Sequence, residues 1–405
     1  MWQRGMMLPW TQSQVSFLKD LVTLRNPLSR FSFVNYLHSV GRLDDFINMG
    51  SFLPFRLEIS DYLQWVAKSL ALVRVEYSRD CTRIEPVSAN GSGSSTGGSS
   101  TGDSSTGGLS TGWLARMADG STIEARNLVI GAGRDAHVPA AFAGLPRERV
   151  IHSTEYSRRI ADIDPREPHR VVVVGAAESA AEMLWETYQR FPRAQCTMII
   201  RSAGLDYYQT SKFTNELYFP SYTEKFFSAP EQTREQVLRA MRLTNYAGVT
   251  PDMLDTLFRQ VYLERLTGEQ RLSMVTMVDV EAAEMLDGEI VLTLNDKMRG
   301  GRDELRCDLV LLGTGFEGRA PSMIRDLADA CGIGDVRVSR NYRMITPPDI
   351  TAGCYLQGTN EATHGIADSL ISVLAVRAGE IVADLLEHRE ETGRGSEAGS
   401  ALMWA

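Results

Sequence analysis

Hydrophobic and polar positions alternate along the chain in a pattern that predicts an α/β protein. The run HRVVVVGAAESAAEMLWETYQRF, residues 169–191, joins a continuous β-branched strand through a small-residue turn to an amphipathic helix. The segment CTMIIRS follows as the next buried strand, which completes a βαβ unit. Two further strands end at glycines, in ARNLVIGAG and in CDLVLLGTGFEG. We therefore expect parallel strands on both sides of this unit.

Residues 88–112 are rich in serine and glycine, with near-repeats of Ser-Ser-Thr-Gly-Gly that offer almost no apolar surface to bury. The flanking segments VRVEYSRDCTRIEPV and WLARMADGSTIEARNLVIGAG both alternate apolar and polar residues. This pattern predicts a long, flexible hairpin tip inside one sheet rather than a linker between domains.

Helical and aromatic patterns replace the strand pattern between residues 207 and 269. The segments FTNELYFPSYTEKFF, EQTREQVLRAMRLTNYAGV and PDMLDTLFRQVYLERL have helical spacing. We predict a helical insertion that forms one wall of a cleft. The tail, residues 389–405, is largely polar and glycine-rich and is expected to be disordered.

Composition limits the possible partners. The 405 residues are 43% hydrophobic and 23% charged, which is typical of a globular protein of two or three domains. A net charge of −9 without a basic run argues against nucleic acid and anionic membranes, and no apolar run approaches the roughly 20 residues that span a bilayer. Five scattered cysteines without a C-x-x-C pair predict neither a disulfide framework nor a metal site, and favour the cytoplasm.

The turn GAAESA, which begins at Gly175, is the strongest local signal of a ligand site. It joins a strand to a helix, so that backbone N–H groups and the positive end of the helix can face a pyrophosphate. Ala177 and Ala180 break the G-x-G-x-x-G pattern, because they replace its second and third glycines. An ordinary βα turn explains this segment about as well.

Arg201 ends the next strand, where a dinucleotide-binding unit presents a residue to the adenosine ribose. Arginine can pair with a 2′-phosphate, which favours NADPH over NADH, although a solvated surface arginine is the more common explanation. Lys19, Asn215, Asn245 and His364 are likewise ordinary when each is considered alone.

Taken in order, several segments resemble the N-hydroxylating flavin monooxygenases of siderophore biosynthesis, and specifically their ornithine branch. These segments are QVSFLKDLVTLRNP, FSFVNYLHSVGRLDDFIN, VVVVGAAESAAE, the TNEL and LTNY pair, and LQGTNEATHGIADSLISVLAVRAGEI. The resemblance runs through nearly the whole chain. It implies a three-layer doubly wound fold with FAD-type and NADPH-type Rossmann-like domains and a helical substrate subdomain.

The resemblance also implies the chemistry. NADPH reduces FAD, the reduced flavin reacts with O₂, and one oxygen atom passes to the neutral side-chain amine of L-ornithine. L-lysine is the alternative substrate, because one methylene is worth only about 1–3 kcal/mol of discrimination. A homotetramer is the assembly that the family suggests.

Site residues are carried over from the resemblance position by position. Lys19 is similar to the cation that pairs with the substrate carboxylate, Asn215 and Ser369 to substrate contacts, and Asn245 to the catalytic asparagine that positions the amine and the nicotinamide ribose. The cofactor-binding positions are Gln14 and the group Thr363, His364 and Gly365 for the flavin, with Gly175, Ser179 and Arg201 for NADPH.

Two departures from the family pattern bear on cofactor binding. The family's βαβ unit for the ADP part of FAD precedes SFLKDL by some tens of residues, and we expect it to be missing here because only 15 residues precede Ser16. Ala177 and Glu178 replace the family's glycine and glutamine, which we expect to weaken NADPH binding. A truncated, non-catalytic homologue therefore remains an alternative to an enzyme.

These patterns divide the chain into expected domains. Residues 1–160 are assigned to part of the flavin domain and 305–388 to its return. The NADPH-binding domain comprises 165–206 and 270–300, and the helical substrate subdomain 207–269.

Overall fold

The computed structural model describes residues 4–88, 109–209 and 211–391. The α-helices are α1 Phe33–Ser39, α2 Leu43–Met49, α3 Arg56–Ser69, α4 Tyr156–Arg159, α5 Glu178–Arg190, α6 Lys212–Asn215, α7 Pro220–Phe227, α8 Glu231–Ala240, α9 Pro251–Thr267, α10 Ser322–Ala330, α11 Glu361–His364 and α12 Leu374–Glu391. The strands are β1 Cys81–Ser88, β2 Ser110–Met117, β3 Thr122–Ala125, β4 Leu128–Ile130, β5 Val150–His152, β6 Arg170–Val174, β7 Gln195–Ile200, β8 Asp206–Tyr207, β9 Gly248–Val249, β10 Leu272–Thr276, β11 Val278–Leu286, β12 Glu289–Asp296, β13 Gly301–Cys307, β14 Leu309–Leu312 and β15 Cys354–Leu356. Short 3-10 helices occupy Arg4–Met6, Ala140–Phe142, Arg147–Arg149, Ser153–Glu155, Ile160–Asp162, Glu216–Tyr218, Arg242–Thr244, Ile366–Ser369 and Ile371–Val373.

A parallel five-stranded sheet forms the centre of the larger unit. Its order is β10-β7-β6-β14-β5, and each neighbouring pair is parallel. The β-branched strand β6 lies in the middle, where both of its faces are covered, which explains its continuous run of valines. The predicted βαβ unit is confirmed as β6, α5 and β7.

Alternate residues of β6 build the two cores of this unit, because successive strand side chains point to opposite faces. Val171 and Val173 pack with residues of α5 and α9, whereas Val172 packs with the antiparallel sheet β11-β12-β13. The unit therefore has three layers, a helical layer, a parallel sheet and an antiparallel sheet. The predicted α/β fold with parallel sheets is confirmed.

The second unit contains the short parallel pair β4 and β15 beside the antiparallel sheet β1-β2-β3. Trp113 of β2 is fully buried and donates its indole N–H to the carbonyl of Gly353, 3.0 Å away, which fixes the antiparallel sheet to the parallel pair. β1 and β2 pair antiparallel, with Ser88 opposite Ser110, as the hairpin prediction requires. Residues 89–108 at the tip lie outside the described residues.

The helical prediction for residues 207–269 is confirmed by α6 to α9, with β8 and β9 as a short parallel pair. The sheet limits, however, differ from the predicted domain limits. β5 and β14 were assigned to the flavin domain, but both lie in the sheet of β6, because parallel strands distant in sequence complete its hydrogen bonding. Of the predicted tail, 389–391 end α12, and 392–405 are outside the described residues.

An ion pair links the N-terminal helices to the three-layer unit. Arg56 of α3 contacts Glu182 of α5 through both carboxylate oxygens, at 2.6 and 2.8 Å, and both side chains are buried. Arg56 also donates to the carbonyls of Met6 and Gln12, so that the charged pair is held in a hydrogen-bonded setting.

Within the ranges that the structure describes, no helix has the length and apolar character to cross a membrane.

Candidate functional site

The nucleotide turn lies between β6 and α5. Gly175 has φ +146°, and a Cβ there would lie 2.5 Å from the carbonyl oxygen of Gly313, so that this position accepts only glycine. Ala177 precedes the helix and supplies no side-chain cap. The first N–H groups of a helix have no partner within it, so this turn presents backbone donors and a positive helix end to an anion.

Ser179 and Arg201 lie at the same edge of the sheet as this turn. Ser179 is the second residue of α5 and is partly exposed, and Arg201 follows the last residue of β7 and is exposed. Val174 of β6 pairs in register with Ile199 of β7, which places the carboxyl ends of both strands side by side. The structure thus brings the three predicted NADPH-binding positions to one edge.

Glu178, the first residue of α5, turns towards the helical region. Its carboxylate accepts hydrogen bonds from the backbone N–H of Thr250 at 2.7 Å and from the Thr250 hydroxyl at 2.9 Å. Thr250 is the residue that precedes α9, so Glu178 caps this helix from a different element. Burial raises the pKa of Glu178 above its usual value, and the Thr250 hydrogen bonds oppose that rise. The carboxylate that we expect to weaken NADPH binding therefore has hydrogen-bond partners within the protein.

Lys19 is half-buried in the N-terminal segment. Its ammonium lies 4.2 Å from the centre of the Phe219 ring, and burial lowers the pKa of Lys19. Phe219 follows the TNEL segment, in which Asn215 is exposed at the end of α6. This contact brings the predicted carboxylate-binding lysine to the helical wall that carries Asn215. Gln14, in the same N-terminal segment as Lys19, is half-buried.

Asn245 carries a hydrogen-bond donor for which the described residues offer no partner. Its side-chain nitrogen Nδ2 is buried and makes no hydrogen bond within the described part of the chain. The preceding Thr244 is fixed by Tyr218, whose hydroxyl donates to the Thr244 carbonyl at 2.9 Å. A buried amide donor without a protein partner is the feature expected where a bound ligand supplies the acceptor.

A carboxylate joins Asn245's neighbour Tyr246 to the C-terminal loop. Glu361 accepts hydrogen bonds from the hydroxyls of Ser369, at 2.9 Å, and of Tyr246, and pairs with the guanidinium of Arg134 at 3.1 Å. The Tyr246 and Ser369 hydroxyls also lie 3.0 Å apart. Burial raises the pKa of Glu361, whereas Arg134 and the Ser369 hydrogen bond act in the opposite direction.

Sequence reasoning did not single out Tyr246, Glu361 or Arg134. Tyr246 stands in LTNY and Glu361 in NEATHG, but no spacing rule connects these segments to Arg134, which follows β4. The three are far apart in sequence. Arg134 and Glu361 meet because β4 and β15 pair in parallel and direct their following loops to one edge, and Tyr246 reaches Glu361 from the helical region.

The loop Thr363-His364-Gly365 is held by the protein itself. The ring nitrogens of His364 contact the Thr363 hydroxyl at 2.9 Å and the carbonyl of Arg340 at 3.0 Å, and the ring stacks on Tyr342 with centroids 4.1 Å apart. Desolvation is the main cause that lowers the pKa of His364, so the imidazole is held neutral. Gly365 has φ +88°, which favours glycine. His364 therefore shapes this loop through contacts with protein atoms.

The residues present fit a dinucleotide and a flavin. For NADPH, the turn at Ala177, which has no side-chain cap, and the Asn245 Nδ2 donor, which has no partner in the described ranges, are both available. Beside the loop after β15, the buried hydroxyls of Thr359 and Ser372 have no partner among the described residues, as expected of groups that contact a bound cofactor. The residues that the structure describes contain no cluster of three His, Cys, Asp or Glu side chains that could hold a metal ion.

Comparison with known proteins gives a consistent result. The family model for L-lysine 6-monooxygenase/L-ornithine 5-monooxygenase matches residues 1–318. The L-ornithine N(5)-monooxygenase of Burkholderia cepacia is 37% identical over 380 residues, which cover 90% of this chain and 81% of that protein.

Two solved structures are similar along almost the whole chain. The ornithine N-hydroxylase of Kutzneria sp. 744, described with reduced FAD, NADP⁺ and L-ornithine, superposes with a TM-score of 0.85 at 33% identity and covers 96% of this chain and 90% of its own. The L-lysine 6-monooxygenase of Pseudomonas syringae has a TM-score of 0.78 at 29% identity and covers 95% and 88%.

Proposed function

Because the chain belongs to the L-lysine 6-monooxygenase/L-ornithine 5-monooxygenase family, we propose that it hydroxylates the side-chain amine of L-ornithine for hydroxamate siderophore biosynthesis. The observation that carries this proposal is the similarity to the ornithine enzyme of Burkholderia cepacia, over 90% of the chain at 37% identity. The reaction consumes the amine, O₂, NADPH and a proton and forms the N-hydroxylamine, NADP⁺ and water. Bound FAD supplies the chemistry that activates oxygen, with NADPH as its reductant.

The chain's own residues bind and orient the substrate. Lys19 pairs with the ornithine carboxylate, since a half-buried ammonium forms a stronger charge-assisted contact than an exposed one. Asn215, on the wall that Lys19 contacts through Phe219, holds the backbone groups of the amino acid. Asn245 and Ser369 face the amine. A neutral amide suits this position, because it orients the amine without a charge that would keep it protonated.

NADPH and the flavin are held at two different places in the fold. Backbone donors of the turn that follows Gly175 and the Ser179 hydroxyl receive the pyrophosphate of NADPH, and exposed Arg201 pairs with the 2′-phosphate. Gln14 and the loop 363–365 border the flavin. Exclusion of water from such a site prevents the loss of oxidising equivalents as hydrogen peroxide.

L-lysine is the second candidate substrate. The family model covers both activities, and the lysine enzyme of Pseudomonas syringae is also similar along the chain. Ornithine is favoured because the ornithine enzyme of Kutzneria has the higher TM-score and identity. The expected preference is about 10–200-fold in kcat/KM, the range that one methylene provides.

A comparison of the two substrates tests the proposal. The protein is reconstituted with FAD and supplied with NADPH and either L-ornithine or L-lysine, and the N-hydroxylated products are identified by mass spectrometry. We expect N5-hydroxyornithine in excess. A higher kcat/KM with lysine would reverse the substrate assignment, and a protein that retains no flavin and forms neither product would favour the non-catalytic alternative.

We propose the cytoplasm as the location. All five cysteines lie in the described ranges as free thiols, and four of them are buried. Free thiols are typical of a reducing compartment.

A further inference from the structure

We propose that Glu361 is the acceptor of the proton that the substrate's side-chain ammonium loses before it reacts, received through the hydroxyl of Ser369. This inference rests on the proposed function, because it assigns a role in the same site. It concerns a group to which neither the sequence patterns nor the family resemblance gave a role.

The reaction requires such an acceptor. A side-chain amine of this type has a pKa of about 10.4, so that nearly all of it is protonated at neutral pH. A protonated amine has no lone pair with which to attack oxygen. Of the side chains placed at the amine, the Asn245 amide cannot take up a proton at neutral pH, and a serine hydroxyl can only pass one on.

Glu361 has the geometry of an acceptor. Its carboxylate oxygen lies 2.9 Å from the Ser369 hydroxyl, which donates to it, and its side chain is only 15% exposed. The Tyr246 hydroxyl donates to the same oxygen and lies 3.0 Å from the Ser369 hydroxyl. A single hydroxyl therefore separates Glu361 from the proposed position of the amine.

The surrounding charges leave the carboxylate able to take a proton. Arg134 faces it from the loop after β4 and lowers its pKa, whereas burial and the charge of Asp368 raise it, with burial the largest effect. Asp368 is itself paired with Arg377 at 3.0 Å. Arg234 of α8 is a further charged group near Glu361, and it donates to the carbonyl of Ala362, the next residue. The net direction is a raised pKa, which is the direction that favours a base near neutral pH.

The proton transfer balances without any redox partner. The Ser369 oxygen takes a proton from the ammonium as its own proton moves to Glu361, which leaves a neutral amine, an unchanged serine hydroxyl and a carboxylic acid. The proton returns to water at the end of the cycle past Tyr246, a residue that is 43% exposed. The product nitrogen is far less basic, so that it does not reclaim the proton.

The pH dependence of Glu361→Gln tests this role in the FAD-loaded protein. We expect kcat/KM for ornithine to fall about 100-fold at pH near 7, within the usual range for general base catalysis, and the loss to shrink at alkaline pH, where more of the amine is already neutral. Glu235→Gln, on the exposed face of α8, is the matched control and should follow the wild-type profile. Profiles of wild type and Glu361→Gln that stay parallel would overturn the proposal.

Two further measurements distinguish proton transfer to Glu361 from a merely structural role of this residue. Ser369→Ala keeps the Glu361–Arg134 pair and should show the same loss of kcat/KM near pH 7, again smaller at alkaline pH. A wild-type pH profile in that variant would contradict proton transfer through Ser369. In infrared difference spectra, ornithine should produce the C=O band of a protonated carboxyl group in wild type but not in Glu361→Gln, and its absence from wild type would also count against the proposal. If wild type forms no N-hydroxyornithine, the proposed function fails first and this inference fails with it.

Discussion

Lys19 carries the clearest prediction for a single side chain. Lys19→Met keeps the apolar stem against Phe219 but removes the ammonium, so that the ornithine carboxylate loses a charge-assisted contact of about 1.5–3 kcal/mol. We expect KM for ornithine to rise about 10–100-fold while kcat changes little. Steady-state kinetics measures this, with the exposed Lys225→Met as control. An unchanged KM in Lys19→Met would remove Lys19 from the carboxylate site.

Asn245 should affect the use of oxygen rather than substrate affinity alone. Asn245→Ala removes the buried Nδ2 donor that has no partner in the described chain. Loss of one positioning hydrogen bond of about 1–3 kcal/mol should lower hydroxylation and leave more NADPH oxidised without product. The measured quantity is N-hydroxyornithine formed per NADPH consumed. A ratio equal to that of wild type would show that Asn245 does not hold the amine.

Individual residues show where sequence reasoning succeeds and where it ends. Resemblance supplied Lys19, Asn215, Asn245 and Ser369, and their roles stay predictions, of which the variants above test those of Lys19, Asn245 and Ser369. The Glu361 network could not be predicted, because Arg134, Tyr246 and Glu361 meet only after β4, β15 and the helical region are folded together.

At the scale of elements, the capping of α9 by Glu178 connects the nucleotide turn to the segment that carries Asn245. Glu178→Ala removes both hydrogen bonds to Thr250 and should raise KM for NADPH several-fold, since a lost helix cap costs about 1 kcal/mol and frees the turn. Glu178→Gln retains an acceptor for the Thr250 N–H and should stay close to wild type. Equal KM values in Glu178→Ala and wild type would show that the two elements are not coupled.

Elements defined by local periodicity were predictable. The valine run of β6 and the small-residue turn before α5 indicate their structure locally, and the alternation around residues 88–112 indicates the hairpin of β1 and β2. The two-residue strands β8 and β9 were not predictable, because they exist only by pairing with each other across 40 residues of helical chain.

At the scale of the whole molecule, Arg56 and Glu182 join the N-terminal helices to the three-layer unit. Glu182→Ala leaves a buried guanidinium without its carboxylate and should lower the free energy of unfolding by about 3–5 kcal/mol. Chemical denaturation measures this difference. The double replacement Arg56→Met with Glu182→Met should restore part of the loss, because it leaves no uncompensated buried charge. Additive losses in the double variant would contradict this account of the pair.

The domain plan was the part of the fold that sequence resolved least. The type of each strand and its order along the chain follow from local pattern, but the sheet to which a strand belongs does not. β5 and β14 lie in the sheet of β6, although both are outside the residues expected for the NADPH-binding domain. The predicted homotetramer belongs to this scale as well, and light scattering of the FAD-loaded protein would measure it.

The origin of the product's hydroxyl oxygen tests the central claim most directly. The FAD-loaded protein is supplied with NADPH, L-ornithine and isotopically labelled dioxygen, and the product is analysed by mass spectrometry. The account predicts N5-hydroxyornithine with one labelled oxygen atom on the side-chain nitrogen, in an amount close to the NADPH consumed. NADPH oxidation that yields only hydrogen peroxide, with no labelled hydroxylamine, would contradict it.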